Sequence, residues 1–178
     1  MDRTKLSVKD PVLIENYDPR WADMFAEEKF RILEKVNQSD AVVHHVGSTS
    51  VLGLAAKPII DIMVVVRDHS AGEASVAALT ELGYEYRGEL GIPGRFYFSK
   101  HYPYRYHLHM YPAGHSEITR LIVFRDYLCA NPDAAREYVK LKCHLAERFC
   151  EDREAYAQAK SSFIRSIEAK ARSPRNPL

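Results

Sequence analysis

Residues 42–66 read VVHHVGSTSVLGLAAKPIIDIMVVV, and this stretch decides the fold. Two runs rich in β-branched residues, 42–46 and 59–66, flank a loop that begins Gly-Ser-Thr-Ser and later contains a proline. Such runs, bounded by turn residues, predict two β-strands. One acid, Asp61, lies inside the second run, where a buried charge must be paired, hydrogen-bonded or bound to a metal. Two interpretations stay open: a phosphate and metal site, or a structural carboxylate neutralised by a nearby Lys or Arg.

The composition is that of an ordinary globular protein. The chain has 178 residues, enough for one domain with a sizeable core, and 46% are hydrophobic and 28% charged. A net charge of +1 argues against bulk electrostatic binding of nucleic acid. No apolar run approaches the ~20 residues of a membrane span, and the polar first residues lack the apolar core of a secretory signal. We therefore expect a cytoplasmic protein that does not enter the membrane, while the oligomeric state stays open.

The cysteines predict packing rather than chemistry. Cys129, Cys143 and Cys150 all lie in the last third of the chain and form no C-x-x-C pair. Their number is odd, so we expect free thiols in a reducing compartment, packed on helices and not catalytic.

The pattern along the chain predicts a mixed α+β protein. Asp18 starts a first helix, and Ser70 caps a second one between the strands. Three further helices follow from about residue 116 onward. The predicted strands are 42–46, 59–66, 84–88, 95–100 and 105–111. We place one domain at 11–172, between a flexible lead over 1–10 and a frayed tail over 173–178.

The Gly-Ser turn has the chemistry of a phosphate-binding loop. Gly47 allows the backbone to approach a phosphate, and Ser48, Thr49 and Ser50 add hydroxyl and N–H donors. No G-x-x-x-x-G-K-[ST] motif occurs, so the turn is not a Walker loop. Its position between two predicted strands, before the strand carboxylate of Asp61, favours phosphate binding beside a divalent ion.

Two histidines and two basic residues complete the candidates that the pattern offers. His107 and His109 share one face of the predicted strand 105–111, because side chains alternate along a strand. They are either metal ligands or core residues, one stacked and one hydrogen-bonded to a carbonyl. Lys57, on the loop before the Asp61 strand, and Arg95 are candidates to offset the charge of a phosphate.

Longer motifs in the chain resemble one known family. The sequence GSTSVLGLAAKPIIDI is similar to the signature of the GrpB family, whose members are assigned to the nucleotidyltransferase fold. The resemblance extends along nearly the whole chain, through YDPRWADMF, the His-Leu-His strand, FRDYL, EYVKLK and REAYAQAKSSFI. It implies an α+β fold of the nucleotidyltransferase-like type, a mixed β-sheet with helices packed on one face and a C-terminal helical segment.

The resemblance also implies roles for particular residues. Gly47 and Ser48 would cradle a nucleotide triphosphate, and Asp61 would hold Mg²⁺. It singles out Tyr156 and Lys160 as well, which lie one turn apart on a helix.

The chain departs from the superfamily pattern at the carboxylates. The pattern hG[GS]…Dh[DE]h places a second acid where this chain has Met63, and the strand 105–111 supplies no third acid. If a neighbouring strand brings a like-facing side chain within about 5 Å, His109 replaces the missing ligand, with His107 next. An Asp-plus-His site prefers Mn²⁺ or Zn²⁺ to Mg²⁺.

These observations predict a domain that binds a nucleotide or another phosphorylated small molecule with the help of a divalent metal. Metal-dependent nucleotidyl or phosphoryl transfer is the corresponding reaction. Two alternatives remain: a catalytically inactive binding or folding-partner module, which fits the fusion of family members to a coenzyme A biosynthetic kinase, and a metal-dependent phosphoester hydrolase using the same residues.

Overall fold

A five-stranded mixed sheet forms the centre of the fold. The structure is a computed structural model that describes residues 11–36 and 41–172. Its elements in chain order are α1 (Arg20–Lys35), β1 (Val42–Val46), β2 (Ile60–Val66), α2 (His69–Glu81), β3 (Glu85–Tyr86), β4 (Phe96–Lys100), β5 (Tyr106–Pro112), α3 (Ser116–Ala130), α4 (Pro132–Arg148), α5 (Arg153–Ala159) and α6 (Ser161–Arg172).

The strand order is β1-β2-β5-β4-β3. β2 and β5 pair in parallel and the other neighbours pair antiparallel. In the parallel register Asp61 lies opposite His107, and Met63 lies opposite His109. The two strands that carry the candidate residues are therefore adjacent at the centre of the sheet.

One face of the sheet is closed by an apolar core under α1 and α2. Because side chains alternate along each strand, one set of strand residues packs against Trp21 and Ile32 of α1 and Leu79 of α2. This set comprises Val43, Ile60, Ile62, Val64, Val66, Phe96, Phe98, Tyr106, Leu108 and Met110. The same side buries one ion pair, in which the ammonium of Lys100 lies 2.7 Å from Glu28.

The other face carries Asp61, His107 and His109 and is only partly covered. The C-terminal helices gather around the loop that follows the Gly-Ser turn, where Val51 and Leu54 pack with Phe124, Tyr138 and Ile167. This packing brings α4 and α5 close to the turn, although they lie about a hundred residues away in sequence.

The structure confirms the sheet and corrects several details of the prediction. Asp68 caps α2 rather than Ser70, because its carboxylate accepts from the backbone N–H of Ala71 at 2.9 Å. The strand predicted at 84–88 is reduced to β3, and the last predicted helix is two helices, α5 and α6. The predicted flexible lead and frayed tail lie outside the described residues. No helix within the described ranges is long and apolar enough to cross a bilayer.

The cysteines are free thiols, as expected, but two of them do not pack. Cys129 and Cys150 are exposed, and Cys143 is half-buried. The buried positions of α3 are Phe124 and Leu128, and Cys129 is not among them.

Candidate functional site

The Gly-Ser turn lies directly against the carboxylate of Asp61. Gly47 has a φ of +71°, in the region that favours glycine, and a Cβ at this position would overlap Asp61 Oδ2. The turn continues as a single 3-10 turn over Ser48–Ser50. Glycine is thus required here both by the backbone angle and by the close approach of the acid.

The three hydroxyls of the turn have different surroundings. Ser50 donates to the carbonyl of Gly47 at 2.6 Å, and Thr49 is buried between His45, at 3.0 Å, and the carbonyl of Ile59. These two side chains hold the turn in shape. The hydroxyl of Ser48 instead lies near the phenol of Tyr138 on α4, where it opposes the rise in pKa that burial causes.

Asp61 and the two histidines of β5 form an acid–histidine group. Asp61 Oδ1 lies 3.4 Å from His107 Nδ1 and 3.9 Å from His109 Nε2. Burial alone would raise the pKa of Asp61, but the hydrogen bonds and charges of the two histidines lower it below its ordinary value. Strand pairing places His109 opposite Met63, whereas the shorter contact with the acid is made by His107.

Arg95 fixes the orientation of His109. Its guanidinium is held by the carbonyls of Leu90 at 2.7 Å and Glu89 at 3.0 Å, and Nη1 lies 3.3 Å from His109 Nδ1. A guanidinium only donates, so Nδ1 is the acceptor and the hydrogen of the neutral ring is on Nε2, facing Asp61. Burial, followed by the nearby Arg95, lowers the pKa of His109 despite the opposing effect of Asp61.

Three lysines form the second half of the site, which we call the lysine cluster: Lys57, Lys142 and Lys160. Lys57 and Lys160 have their ammonium groups 5.0 Å and 4.3 Å from the centre of the same ring, that of the buried Tyr156. Burial, and then the neighbouring Lys57, lowers the pKa of Lys160 to about 8.

Lys142 is the most enclosed member of the lysine cluster, with 2% of its surface exposed. Its ammonium donates to the carbonyl of Ala55 and lies 4.8 Å from the ring centre of Tyr138. Burial, and then the charge of Lys160, lowers its pKa to about 7. Neither the carbonyl nor the ring is an anion, so these contacts leave the charge of Lys142 without compensation.

Lys142 and Tyr138 were not predicted from the sequence as site residues. A sequence signal was present, because Tyr138 and Lys142 have the same Tyr-x-x-x-Lys spacing as Tyr156 and Lys160. Side chains four residues apart lie on one face of a helix, and in both pairs the lysine lies over its tyrosine ring. Only the packing of α4 beside α5 brings the two pairs together.

The donors for a metal ion are few. In the part of the chain that the structure describes, no group of three or more His, Cys, Asp or Glu side chains is arranged to hold a metal. Asp61 has the right chemistry and His107 is its closest histidine, while Nε2 of His109 carries a hydrogen as long as Arg95 occupies Nδ1. Mg²⁺ is commonly held by one or two carboxylates together with the phosphates of a substrate, and Asp61 beside the Gly-Ser turn fits that mode.

Comparison with known structures defines the class of fold. The chain is similar to Cid1 in complex with the UTP analog UMPNPP, with a TM-score of 0.51 and 16% identity, over 76% of this chain and 41% of that one. The fold is therefore nucleotidyltransferase-like, as the motifs predicted. The crystal structure of the conserved protein GrpB from Enterococcus faecalis is much more similar, with a TM-score of 0.83, 37% identity, and coverage of 89% and 96%.

The family follows from the sequence comparisons. The family described as GrpB protein matches residues 11–170, and the chain belongs to the GrpB family. UPF0157 protein YqkA of Bacillus subtilis is 40% identical over 165 residues, which are 92% of this chain and 48% of that protein. The chain thus spans about half the length of this relative.

Proposed function

We propose that this protein binds a nucleotide or another phosphorylated small molecule, with the phosphates between the Gly-Ser turn and the lysine cluster. The observation that carries the proposal is the surroundings of Lys142, whose charge is buried against a carbonyl and a tyrosine ring. Burying a cation without an opposite charge costs several kcal/mol, by order of magnitude. A phosphate supplies the missing charge.

The kinds of donor on the two sides of the site support a polyphosphate as the ligand. Ser48 and the backbone of the turn lie at one side, next to Asp61, while Lys160 and Lys57 lie along the ring of Tyr156. A chain of phosphates can contact backbone N–H groups at one end and ammonium groups at the other. The similarity in fold to Cid1, solved with a UTP analog, supports a nucleotide as the ligand.

A divalent ion, Mg²⁺, Mn²⁺ or Zn²⁺, belongs to the same proposal. Asp61 would hold it together with the phosphates, with His107 as the nearest additional donor. Such an ion supplies charge neutralisation at a transferring phosphoryl group. Arg95 occupies Nδ1 of His109, and Nε2 of the same ring carries a hydrogen. His109 could therefore bind the ion, as predicted, only after its contact with Arg95 breaks.

One observation favours binding without transfer as the second candidate function. Met63 occupies the position of the superfamily's second carboxylate, and it is fully buried in an apolar cluster with Val46 and Tyr111. An acid cannot simply be restored there, because an isolated buried carboxylate is costly. A binding or folding-partner module would keep the phosphate site and need no second acid.

Calorimetric titration tests the binding proposal. We expect ATP and inorganic pyrophosphate to bind, and adenosine to bind much more weakly. Lys142→Met and Lys160→Met should each weaken ATP binding at least about tenfold, since a charge-assisted contact contributes about 1.5–3 kcal/mol. Lys170→Met, on the exposed surface of α6, is the matched control and should bind as the wild type does. Equal affinities in all four proteins, or no binding of either phosphate compound, would overturn the proposal.

The metal and the reaction are tested separately. We expect Mg²⁺ or Mn²⁺ to strengthen ATP binding in the wild type and to have no such effect in Asp61→Asn. Release of pyrophosphate or phosphate from ATP that depends on metal and on Asp61 would assign catalysis. Tight ATP binding with neither product released would favour the binding module.

A further inference from the structure

A cavity of about 640 Å³ borders the loop that follows the Gly-Ser turn. Its wall includes residues 51–55 of that loop and the first turns of α4. Ala55 lines the cavity, while its carbonyl accepts from Lys142 of the lysine cluster. None of the three lysines of the lysine cluster lines the cavity, so the cavity and the proposed phosphate site are separate spaces that share one loop.

The cavity has the size and lining of a small-molecule site. Pockets for such ligands measure roughly 300–1,000 Å³ and are mostly apolar with a few polar groups. Val51, Leu54 and Leu128 form the buried part of the wall, and Val139 borders it on α4. Leu52, with 84% of its surface exposed, adds further apolar surface to the lining.

The charged residues at the cavity are cations. Arg136 and Lys140 lie one turn apart on α4 and both line the cavity, whereas no Asp or Glu is among its described lining residues. Arg136 pairs with Asp133, which does not line the cavity, so Lys140 is the principal charge at the mouth. The N-terminal turn of α4, with Pro132 at the wall, adds the positive end of a helix dipole.

We infer that this cavity binds an amphipathic anion, a small molecule with an apolar body and one anionic group. The apolar body would lie against Val51, Leu54 and Leu128, and the anionic group would lie beside Lys140. Such a ligand would be held independently of the phosphate site, so the inference does not depend on the proposed nucleotide.

The probe that matches this chemistry is 1-anilinonaphthalene-8-sulfonate, an aromatic body with one sulfonate. We expect saturable binding of one molecule by the folded chain, measured by fluorescence. Decanoate should displace it and decylamine, of the same length but opposite charge, should not. Binding that does not saturate, or displacement by decylamine as effectively as by decanoate, would overturn the inference.

Two variants locate the probe. Lys140→Glu, at an exposed position, should weaken binding about tenfold or more, and Ala135→Trp should abolish it by filling the cavity. Lys170→Glu and Ala157→Trp place the same changes on exposed helix surfaces elsewhere and should leave binding unchanged. If Ala135→Trp does not fold, Lys140→Glu decides alone, and unaltered binding in that variant would overturn the inference.

The failure of this inference is distinguishable from failure of the phosphate site. Lys142→Met should retain the probe while losing affinity for ATP, and Lys140→Glu should do the reverse. A chain that binds no probe but forms a dimer dissociated by Leu52→Glu would also overturn the inference, because the exposed apolar mouth would then be a protein contact.

Discussion

Two buried lysines on opposite faces of the sheet have similar surroundings except for one carboxylate. Lys100 is 7% exposed and lies over the rings of Tyr84 and Tyr106, and Lys142 is 2% exposed and lies over the ring of Tyr138. The ammonium of Lys100 has Glu28 at 2.7 Å, whereas Lys142 donates to a carbonyl. One face of the sheet therefore neutralises its buried lysine with a carboxylate of the chain, whereas on the other face the proposed anion would supply the missing charge.

The largest effect is expected from removing the carboxylate of the neutralised pair. Glu28→Gln would leave Lys100 buried without its counter-charge, and we expect a loss of about 3–5 kcal/mol of stability in urea unfolding. Glu81→Gln is the control, because its pair with Lys35 is exposed and should contribute about 1 kcal/mol or less. A change of similar size in both variants would show that Lys100 does not depend on Glu28.

Lys142 should make the stability of the protein depend on pH. Folding lowers the pKa of Lys142 from 10.5 to about 7, so above about pH 7 the unfolded chain binds a proton that the folded chain has released. Stability should therefore rise with pH between about 7 and 9, by at most about 1.4 kcal/mol per pH unit for this group.

Lys142→Met should remove that contribution and leave the protein at least as stable as the wild type near pH 7. The measurement is urea unfolding of both proteins at several pH values, and the difference between them isolates the lysine. Identical pH dependence in the two proteins would contradict the buried, uncompensated charge.

A smaller effect is expected at the turn that joins the two halves of the site. Gly47→Ala combines backbone strain with overlap of the new methyl group and Asp61, and we expect a loss of about 1–3 kcal/mol together with weaker ATP binding. Gly88→Ala has a similar φ of +68° and no atom within 4 Å of the added carbon. Gly88→Ala should show the cost of backbone strain alone. Equal losses of stability in the two variants would mean that the close approach of Asp61 adds nothing to the cost of Gly47→Ala.

The sequence predicted what depends on local pattern. β1 matches its predicted range residue by residue, because a β-branched run ends at a glycine with positive φ. The face shared by His107 and His109 followed from alternation, whereas their position beside Asp61 required the pairing of β2 with β5.

The parts of the site that depend on distant packing were not predicted. Lys142 reaches the loop only because α4 packs against Val51 and Leu54, and no local pattern specifies that contact. Arg95 is held beside His109 because its guanidinium donates to the carbonyls of Glu89 and Leu90. Both carbonyls belong to a glycine-rich loop, and no local pattern specifies the path of that loop. The spacing shared by the two Tyr-x-x-x-Lys pairs indicated a common role, but their proximity needed the fold.

Proton uptake on binding ATP tests most directly whether a phosphate supplies the charge missing at the lysine cluster. An anion beside Lys142 and Lys160 raises their pKa values from about 7 and about 8, so both become protonated on binding. Calorimetry at about pH 8, where phosphate groups with a pKa of about 6 are already ionised, in buffers of different ionisation enthalpy measures the protons exchanged. We predict uptake of about one proton or more in the wild type and less in Lys142→Met. ATP binding without proton uptake, or with proton release, would contradict the account.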